Sequence, residues 1–466
     1  MIAEAPVTQP VVRPVGKAER IESVDVLRGF ALLGILLLNI LTFSYHFAAT
    51  WNPALDGGAT GWNLAVWFVQ MIFWDGKMRA TFSLVFGASL MLLTTRLDAR
   101  GTAGADVYFR RTLWLMVFGI LHAYLIWWGD ILFPYALGAL LLYPFRRLSG
   151  KALLIIAGVM FVFLIGMPVG KGFHMRDVRA KAQEAIAAEK AGKALSDEQK
   201  EVKKDWEEFL KNTHPSREQL DKEYTAYRGG YVSAFKHRAK AVFRWHAIPI
   251  YTPFLWDMFA MMLIGMALFK SGVLSAERSY RYYTWMAATG FGLGLPMNAW
   301  SAWETHRHNF EPILSLKYFA TYQPGRLLVA MAYWALLMII CKAGVLKWLT
   351  RPLAAVGQMA FSNYIMHSVL GSVIFYGYGF GLIGKLERWQ LYPIVGGIWA
   401  FQLIISPIWL RHFYFGPLEW CWRSLTYWKR QPMRIRPEIA VIEPPPENPQ
   451  DAPAGEERAQ TAAERT

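Results

Sequence analysis

Two groups of residues in this chain have the types and spacing to do chemistry. The first lies in SVDVLRGFALLGILLLNI, residues 23–40, an apolar run that carries Asp25, Arg28 and Asn39. A helix turns ~100° per residue, so Arg28 and Asn39 fall within ~20° of one another and ~16 Å apart along the axis. Asp25, one turn before Arg28, lies on nearly the same face. A charge placed in an apolar span is costly and normally faces the bundle interior or a partner. A guanidinium there suits an anion, phosphate in particular. The plainer alternatives are that Asp25 caps the helix start, Arg28 reaches back to headgroups and Asn39 bonds a neighbouring helix.

The second group lies in GILHAYLIWWGDILFPYALGALLL, residues 119–142. His122 precedes a Trp127-Trp128-Gly129 turn and Asp130 follows it. A tight helical hairpin brings the two together. Imidazole titrates near neutrality and is the commonest general base, and a carboxylate on its second nitrogen fixes the tautomer. The competing roles are a helix N-cap for Asp130 and an interhelical hydrogen bond for His122. Other histidines are weaker candidates. His46 follows the first apolar run, and His367 sits beside Ser362 and Asn363. His306 and His308, with Glu304, form a short HxH pattern that is a weak metal signal, and no metal is expected. The chain has no GxSxG, Walker or HExxH motif.

The elements that must position these residues are membrane helices. Hydrophobic residues make up 54% of the chain and charged ones 18%, against about 25% charged in a typical soluble domain. The net charge of +15 is therefore read as loop bias and not as nucleic-acid binding. Ten spans are expected, at roughly 24–43, 78–95, 107–127, 130–148, 151–169, 252–269, 281–300, 325–345, 354–376 and 390–410. Residues 62–74, rich in Trp and Phe, are read as an interfacial helix. With an internal N-terminus, the inside loops hold most of the basic residues, beginning with Arg13, Lys17 and Arg20, then Arg96, Arg100, Arg110 and Arg111. Both termini are then cytoplasmic. No apolar signal segment precedes the first span, so that span is expected to stay. The two cysteines, Cys341 and Cys421, suggest no disulfide framework.

The expected fold is thus an all-α, polytopic transmembrane helix bundle. It divides into an N-terminal segment 1–22, a first bundle 23–170, a charged insert 171–247, a second bundle 248–427 and a disordered tail 428–466. The insert holds 17 Lys/Arg and 12 Asp/Glu, reads as solvated helices and falls on the outer side. Ser196 and Gln199 have the spacing of a capping box. The insert is either a surface helical hairpin or a lid or acceptor platform over the outer mouth.

Five patches in chain order resemble the YeiB-type bacterial membrane proteins of unknown function. They are RIESVDVLRGFALLGILLLNI, GKMRATFSLVFGASLML, RRTLWLMVFGILHAYLIWWGDILFPYALGALLL, PLAAVGQMAFSNYIMHSVL and FYFGPLEWCWRSLTY. The first patch also resembles the wider transmembrane acyltransferases, which carry D-x-x-R-G followed ten residues later by a His or, in the heparan-α-glucosaminide N-acetyltransferase branch, an Asn. Asp25, Arg28 and Gly29 match, and Asn39 follows the second pattern. In that branch the working His lies farther along the outer loop, which makes His46 the positional candidate.

The resemblance implies transfer of an acyl group, such as acetyl, from cytoplasmic acyl-CoA to an acceptor on the outer side of a bacterial inner membrane. Arg28, with Asp25, Arg110 and Arg111, would hold the anionic donor. His122 or His46 would be the base, Asp130 would orient it and Asn39 would meet the oxyanion. A homo-oligomer is compatible with the sequence, and nucleic acid is not an expected partner. Two other classes stay open: a small-solute transporter, for the glycine-rich runs TGFGLGLPMNAW and GSVIFYGYGFGLIG, and a membrane assembly protein without chemistry.

Overall fold

The computed structural model describes residues 21–99, 104–247, 253–274 and 276–435. Arg13, Lys17, Arg20, Arg100 and the tail from 437 lie outside the described residues. Within them the protein is all-helical apart from one isolated antiparallel bridge, Phe413 to Arg434. In lipid every backbone N–H and C=O must be satisfied within the segment, and helices do this.

The first bundle runs α1 (Glu22–Ser44), α2 (Gly61–Val69), α3 (Lys77–Ala99), α4 (Gly104–Leu125), α5 (Leu132–Leu142) and α6 (Gly150–Lys190). The insert adds α7 (Asp197–Thr213), α8 (Arg217–Arg228) and α9 (Tyr231–Ala247). The second bundle comprises α10 (Pro253–Lys270), α11 (Tyr280–Arg307), α12 (Pro312–Lys317), α13 (Phe319–Ala343), α14 (Lys347–Gln358), α15 (Ala360–Phe375), α16 (Leu391–His412) and α17 (Pro417–Tyr427).

Among the described residues, six helical runs are long and apolar enough to cross a membrane. They are Glu22–Ser44, Gly61–Ala99, Gly150–Lys190, Pro253–Lys270, Phe319–Ala343 and Arg388–His412. All ten segments read as spans are helical, with instructive differences. The segment 354–376 breaks at Met359 into α14 and α15. The segment 130–148 is α5 followed by a 3-10 turn, Tyr143–Arg147, with Pro144 at its start. Helix α6 does not stop at residue 170. It carries Pro168 inside and runs for 41 residues in all, to Lys190 within the insert, because the strongly helix-forming stretch after Gly172 carries it on.

The glycine-rich runs do not form interrupted mid-membrane helices. TGFGLGLPMNAW lies inside the continuous α11. GSVIFYGYGFGLIG ends α15 and turns into a loop, where the Gly377 N–H donates to the Tyr227 carbonyl of the insert.

Buried α10 is the axis of the core, and Met258–Met262 on it are each under 5% exposed. Helix α1 meets α14 at Gly29 and Gly357. A Cβ on Gly29 would overlap the Leu353 carbonyl, and one on Gly357 the Asp25 carbonyl. Small residues let membrane helices approach to backbone contact. Gly357→Ala must push the helices apart. We expect a loss of about 1–3 kcal/mol, read as a lower unfolding temperature in detergent, where Gly396→Ala, in open space, leaves it unchanged.

The insert is fastened to the bundle. Ser196 and Gln199 form the expected capping box. Arg238 of α9 is fully buried and donates to the carbonyls of Tyr124 (2.9 Å) and Leu125 (2.8 Å) at the end of α4. A cation on the last carbonyls of a helix satisfies them and suits its dipole. The helix that carries His122 is thereby fixed at its end.

Candidate functional site

At the N-terminal end of α1 the expected ion pair is present. Arg28 Nη1 lies 2.8 Å from Asp25 Oδ1, while Nη2 donates to Ser89 Oγ at 3.0 Å and Nη1 reaches the Gly357 carbonyl at 3.4 Å. Ile21, not Asp25, stands at the helix cap.

Arg28 opens onto a cavity of ≈250 Å³. Four arginines line it: Arg28, Arg96 at the end of α3, Arg111 on α4 and Arg423 on α17. Apolar side chains such as Val85, Phe86 and Leu115 form its middle. It continues to Ile131, to Leu132 and Tyr135 of α5 and to Tyr364 of α15.

The C-terminal amphipathic helix builds part of this wall. The Arg111 guanidinium sits 3.8 Å over the Trp422 ring, and Trp422 Nε1 donates to the Arg111 carbonyl. Glu419 receives the Phe361 and Ser362 N–H groups and the Ser362 hydroxyl. A carboxylate at a helix N-terminus satisfies orphan donors and the dipole. Glu419 therefore anchors the start of α15, where the sequence pattern suggested no break. Arg110 is not part of the wall. It faces another way and pairs with Asp106 at 2.9 Å.

His122 and Asp130 meet across the hairpin. His122 Nδ1 lies 2.8 Å from Asp130 Oδ1, and each side chain is 1% exposed. The carboxylate also takes the Leu132 N–H at 3.1 Å and the Phe133 N–H at 2.7 Å. Asp130 is thus helix cap and imidazole partner at once. A carboxylate only accepts, so the His122 proton is assigned to Nδ1 and Nε2 carries the lone pair. Nε2 is buried and has no hydrogen-bond partner among the described residues. Tyr364 lines the cavity and also packs against the His122 ring. Its ring centroid is 5.3 Å from that of His122, and its hydroxyl accepts the Ile131 N–H at 3.1 Å.

The other expected site residues lie apart from this pair. Asn39 is off the cavity wall, and its Nδ2 is buried without a partner among the described residues. His46 lies past the end of α1. Its Nδ1 accepts the Ala48 N–H at 3.1 Å and its Nε2 is 3.6 Å from Glu223 of the insert. The His46 Nδ1 lone pair is thus already taken by the backbone. His367 is bound to Gln402 at 2.7 Å, tying α15 to α16.

Sequence reading missed Arg96, Arg423 and Tyr364 as wall residues. It also missed a buried charged cluster beside them. Arg326 of α13 makes a two-pronged pair with Asp257 of α10, with one arm at 2.9 Å, and Arg79 reaches the same carboxylate at 3.5 Å. Tyr322 donates to Asp75 at 2.5 Å, and Lys77, fully buried, donates to the Met71 carbonyl. The signal available was four charged residues, Asp75, Lys77, Arg79 and Asp257, within or beside apolar runs.

The contact of His46 with the insert gives a pH dependence. Burial pushes the Glu223 carboxyl up to about 7. Burial, then the nearby His237, pushes the His46 imidazole down. Tyr224, Tyr227 and Tyr376 also face Glu223, and Tyr224 hydrogen-bonds Asp56 at 2.7 Å. A raised carboxyl stabilises docking fully below its free value of 4.5, and that stabilisation is lost as pH rises through about 7. The loss is on the order of 3 kcal/mol. Hydrogen exchange in residues 217–228, corrected for intrinsic rate, should quicken between pH 5 and 8 in the native chain and much less in Glu223→Gln. His46 works in the opposite direction, losing stability as pH falls below the ordinary imidazole range, and both proteins share it.

Comparison with known proteins gives a family frame. Residues 268–429 match the family described as "Protein of unknown function (DUF418)". The chain is 29% identical to "Uncharacterized protein YxaH" of Bacillus subtilis (strain 168), covering 90% of this chain and 98% of that one. It is also 29% identical to "Uncharacterized protein YeiB" of Escherichia coli (strain K12), covering 88% and 96%. An "Uncharacterized 39.9 kDa protein in amylase 3'region" of Bacillus acidopullulyticus is 26% identical over 91% and 99%. No solved structure matches the chain.

Proposed function

For this YeiB-like chain with its DUF418 segment, we propose the role of a membrane acyltransferase that takes acyl groups from acyl-CoA on the cytoplasmic side of a bacterial inner membrane and passes them to an acceptor on the outer side. The observation that carries the reading is one continuous arrangement. A cavity walled by Arg28, Arg96, Arg111 and Arg423 runs to Tyr364, which touches a buried histidine with a free Nε2 and an Asp130-bound Nδ1.

Four guanidinium groups at one mouth suit the phosphates of a nucleotide thioester. At ≈250 Å³ the cavity is smaller than the roughly 300–1,000 Å³ of a drug-sized ligand site, so it takes the thioester arm and leaves the nucleotide at the mouth. In the reaction, His122 Nε2 takes the proton of the acceptor hydroxyl or amine. The freed lone pair attacks the thioester carbonyl, the C–S bond breaks, and the imidazolium returns its proton to the departing CoA thiolate. Asp130 stabilises the imidazolium in between. Tyr364 must turn aside to join the cavity to Nε2. Asn39, off the cavity wall and apart from the His122–Asp130 pair, takes no part in this step.

Binding of radiolabelled acetyl-CoA to nanodisc-embedded protein tests the donor site. We expect saturable binding that weakens with salt, and Arg111→Ala and Arg423→Ala each to reduce affinity by about tenfold, the effect of losing one charged hydrogen bond. Arg110→Ala should leave it unchanged. Absence of saturable binding, or equal loss at Arg110, contradicts the reading.

A further inference from the structure

We propose that a second cavity, roofed by the insert, binds a neutral sugar ring. The cavity measures ≈330 Å³ and lies beyond the C-terminal end of α1. The turn after α1 supplies Trp51 and Asn52, the end of α7 supplies His214, α11 supplies Ser301 and Thr305, and α13 supplies Phe319 and Tyr322. Its volume is at the small end for ligand sites, which suits one ring.

No Asp, Glu, Lys or Arg is among its lining residues. The contrast with the four-arginine cavity is plain, and an ion placed here would lack a counter-charge. An uncharged ligand is therefore favoured. The apolar part of the wall is aromatic. Trp51 and Phe319 stack with centroids 6.1 Å apart, and Tyr322 lies 5.9 Å from Trp51 and 5.5 Å from Phe319. Such a platform takes the C–H face of a pyranose, whose hydroxyls then project to polar groups at the rim.

The polar rim has a donor to spare. Asn52 Oδ1 accepts the Ala54 N–H at 3.0 Å, which fixes the amide orientation. Asn52 Nδ2 then donates to His214 Nε2 at 3.0 Å. With Nε2 accepting, the neutral His214 carries its proton on Nδ1. That nitrogen is buried, and apart from the Thr213 backbone beside the ring it has no partner among the described residues. Burial also pushes the imidazole pKa down, so the ring is neutral at physiological pH. A ligand hydroxyl oxygen is the missing acceptor. Thr305 and Ser301 add hydroxyl oxygens, with Thr305 Oγ1 already donating to the Ser301 carbonyl and so free to accept. A lipid tail would cover the aromatic rings but leave these polar groups unanswered.

The inference stands without the acyl-transfer reading. If both hold, the sugar is the hydroxyl acceptor. The test uses full-length protein purified in a sugar-free detergent and placed in nanodiscs, without acyl-CoA. Equilibrium dialysis measures radiolabelled methyl glycosides of glucose, galactose, mannose and N-acetylglucosamine. We expect saturable binding of at least one, quenching of tryptophan fluorescence, and weakening by about fivefold or more in His214→Ala, a half-buried position whose variant must first show an unchanged unfolding temperature. The Phe319→Leu variant should lose binding further. Glucosamine and glucuronate, which carry charge, should bind at least about fivefold more weakly than the neutral analogue. Saturable binding of none of the four, equal affinity in His214→Ala, equal affinity for the charged sugars, or a tightly held lipid that no sugar displaces would each overturn the proposal.

Discussion

His122→Ala protein should transfer acyl groups from acyl-CoA at a rate roughly 10²–10⁴-fold below the native chain, while its acetyl-CoA affinity changes by less than about twofold. The separation follows from geometry. His122 is not a wall residue of the arginine-lined cavity, so its loss leaves the donor mouth as it was. What disappears is a buried imidazole nitrogen with a fixed tautomer and a free lone pair, on a ring held by Asp130 against Tyr364. His46→Ala provides the control. Its Nδ1 is engaged by the Ala48 N–H, so the rate should fall little, and the effect should appear in insert docking. Asp130→Asn should show both kinds of damage. An amide keeps one acceptor for the Leu132 and Phe133 N–H groups but cannot stabilise an imidazolium, so rate falls and α5 loses part of its cap. If His122→Ala retained the native rate, the base would have to be sought elsewhere.

Arg326→Leu should be the most damaging single change to stability, by about 3–5 kcal/mol. Arg326 is fully buried and Asp257 nearly so. Removing the guanidinium leaves the Asp257 carboxylate with Arg79 at 3.5 Å as its remaining ion-pair partner. A carboxylate desolvated among α3, α10 and α13 and robbed of its two-pronged partner pays the full cost of burial. The double variant Arg326→Leu with Asp257→Leu removes both charges together. It should recover most of the loss, because a buried pair replaced by apolar residues of similar volume is often near neutral. Thermal unfolding in nanodiscs followed by tryptophan fluorescence measures both. A double variant as unstable as the single one would mean that the cluster has a structural role beyond charge compensation.

The parts of the site that were legible in the sequence depend on local geometry. Arg28 and Asn39 could be placed on one helix face because eleven residues make almost a whole number of turns. The Asp25–Arg28 pair follows from one-turn spacing. His122 and Asp130 were brought together by a hairpin too tight to hold them apart. The two readings of Asp130, cap or orienter, looked exclusive in sequence and are not, because a carboxylate has lone pairs enough for both.

The rest was not legible because it depends on tertiary neighbours. Arg110 and Arg111 are adjacent and point ~100° apart, and only the packing of α17 on α4 decides which one meets the cavity. Arg96 and Arg423 reach the same wall from helices more than 300 residues apart. Asp257 and Arg326 pair over 69 residues. The break at Met359 is marked in sequence only by Gly357 two residues before it, and the cap that starts the next helix comes from Glu419 on another helix. The extension of α6 past residue 170 shows the converse, a proline and two glycines that the helix absorbs.

The most direct test of the account uses proteoliposomes in which the protein has one defined orientation. Acetyl-CoA is supplied to the face bearing Arg28 or, separately, to the opposite face, with hydroxyl and amine acceptors on both. Release of free CoA thiol and appearance of the acetylated acceptor are then measured. The account predicts thiol release only with donor at the Arg28 face, product at the opposite face, and neither in His122→Ala. Thiol release from both faces alike, or none from either while acetyl-CoA still binds, would contradict it.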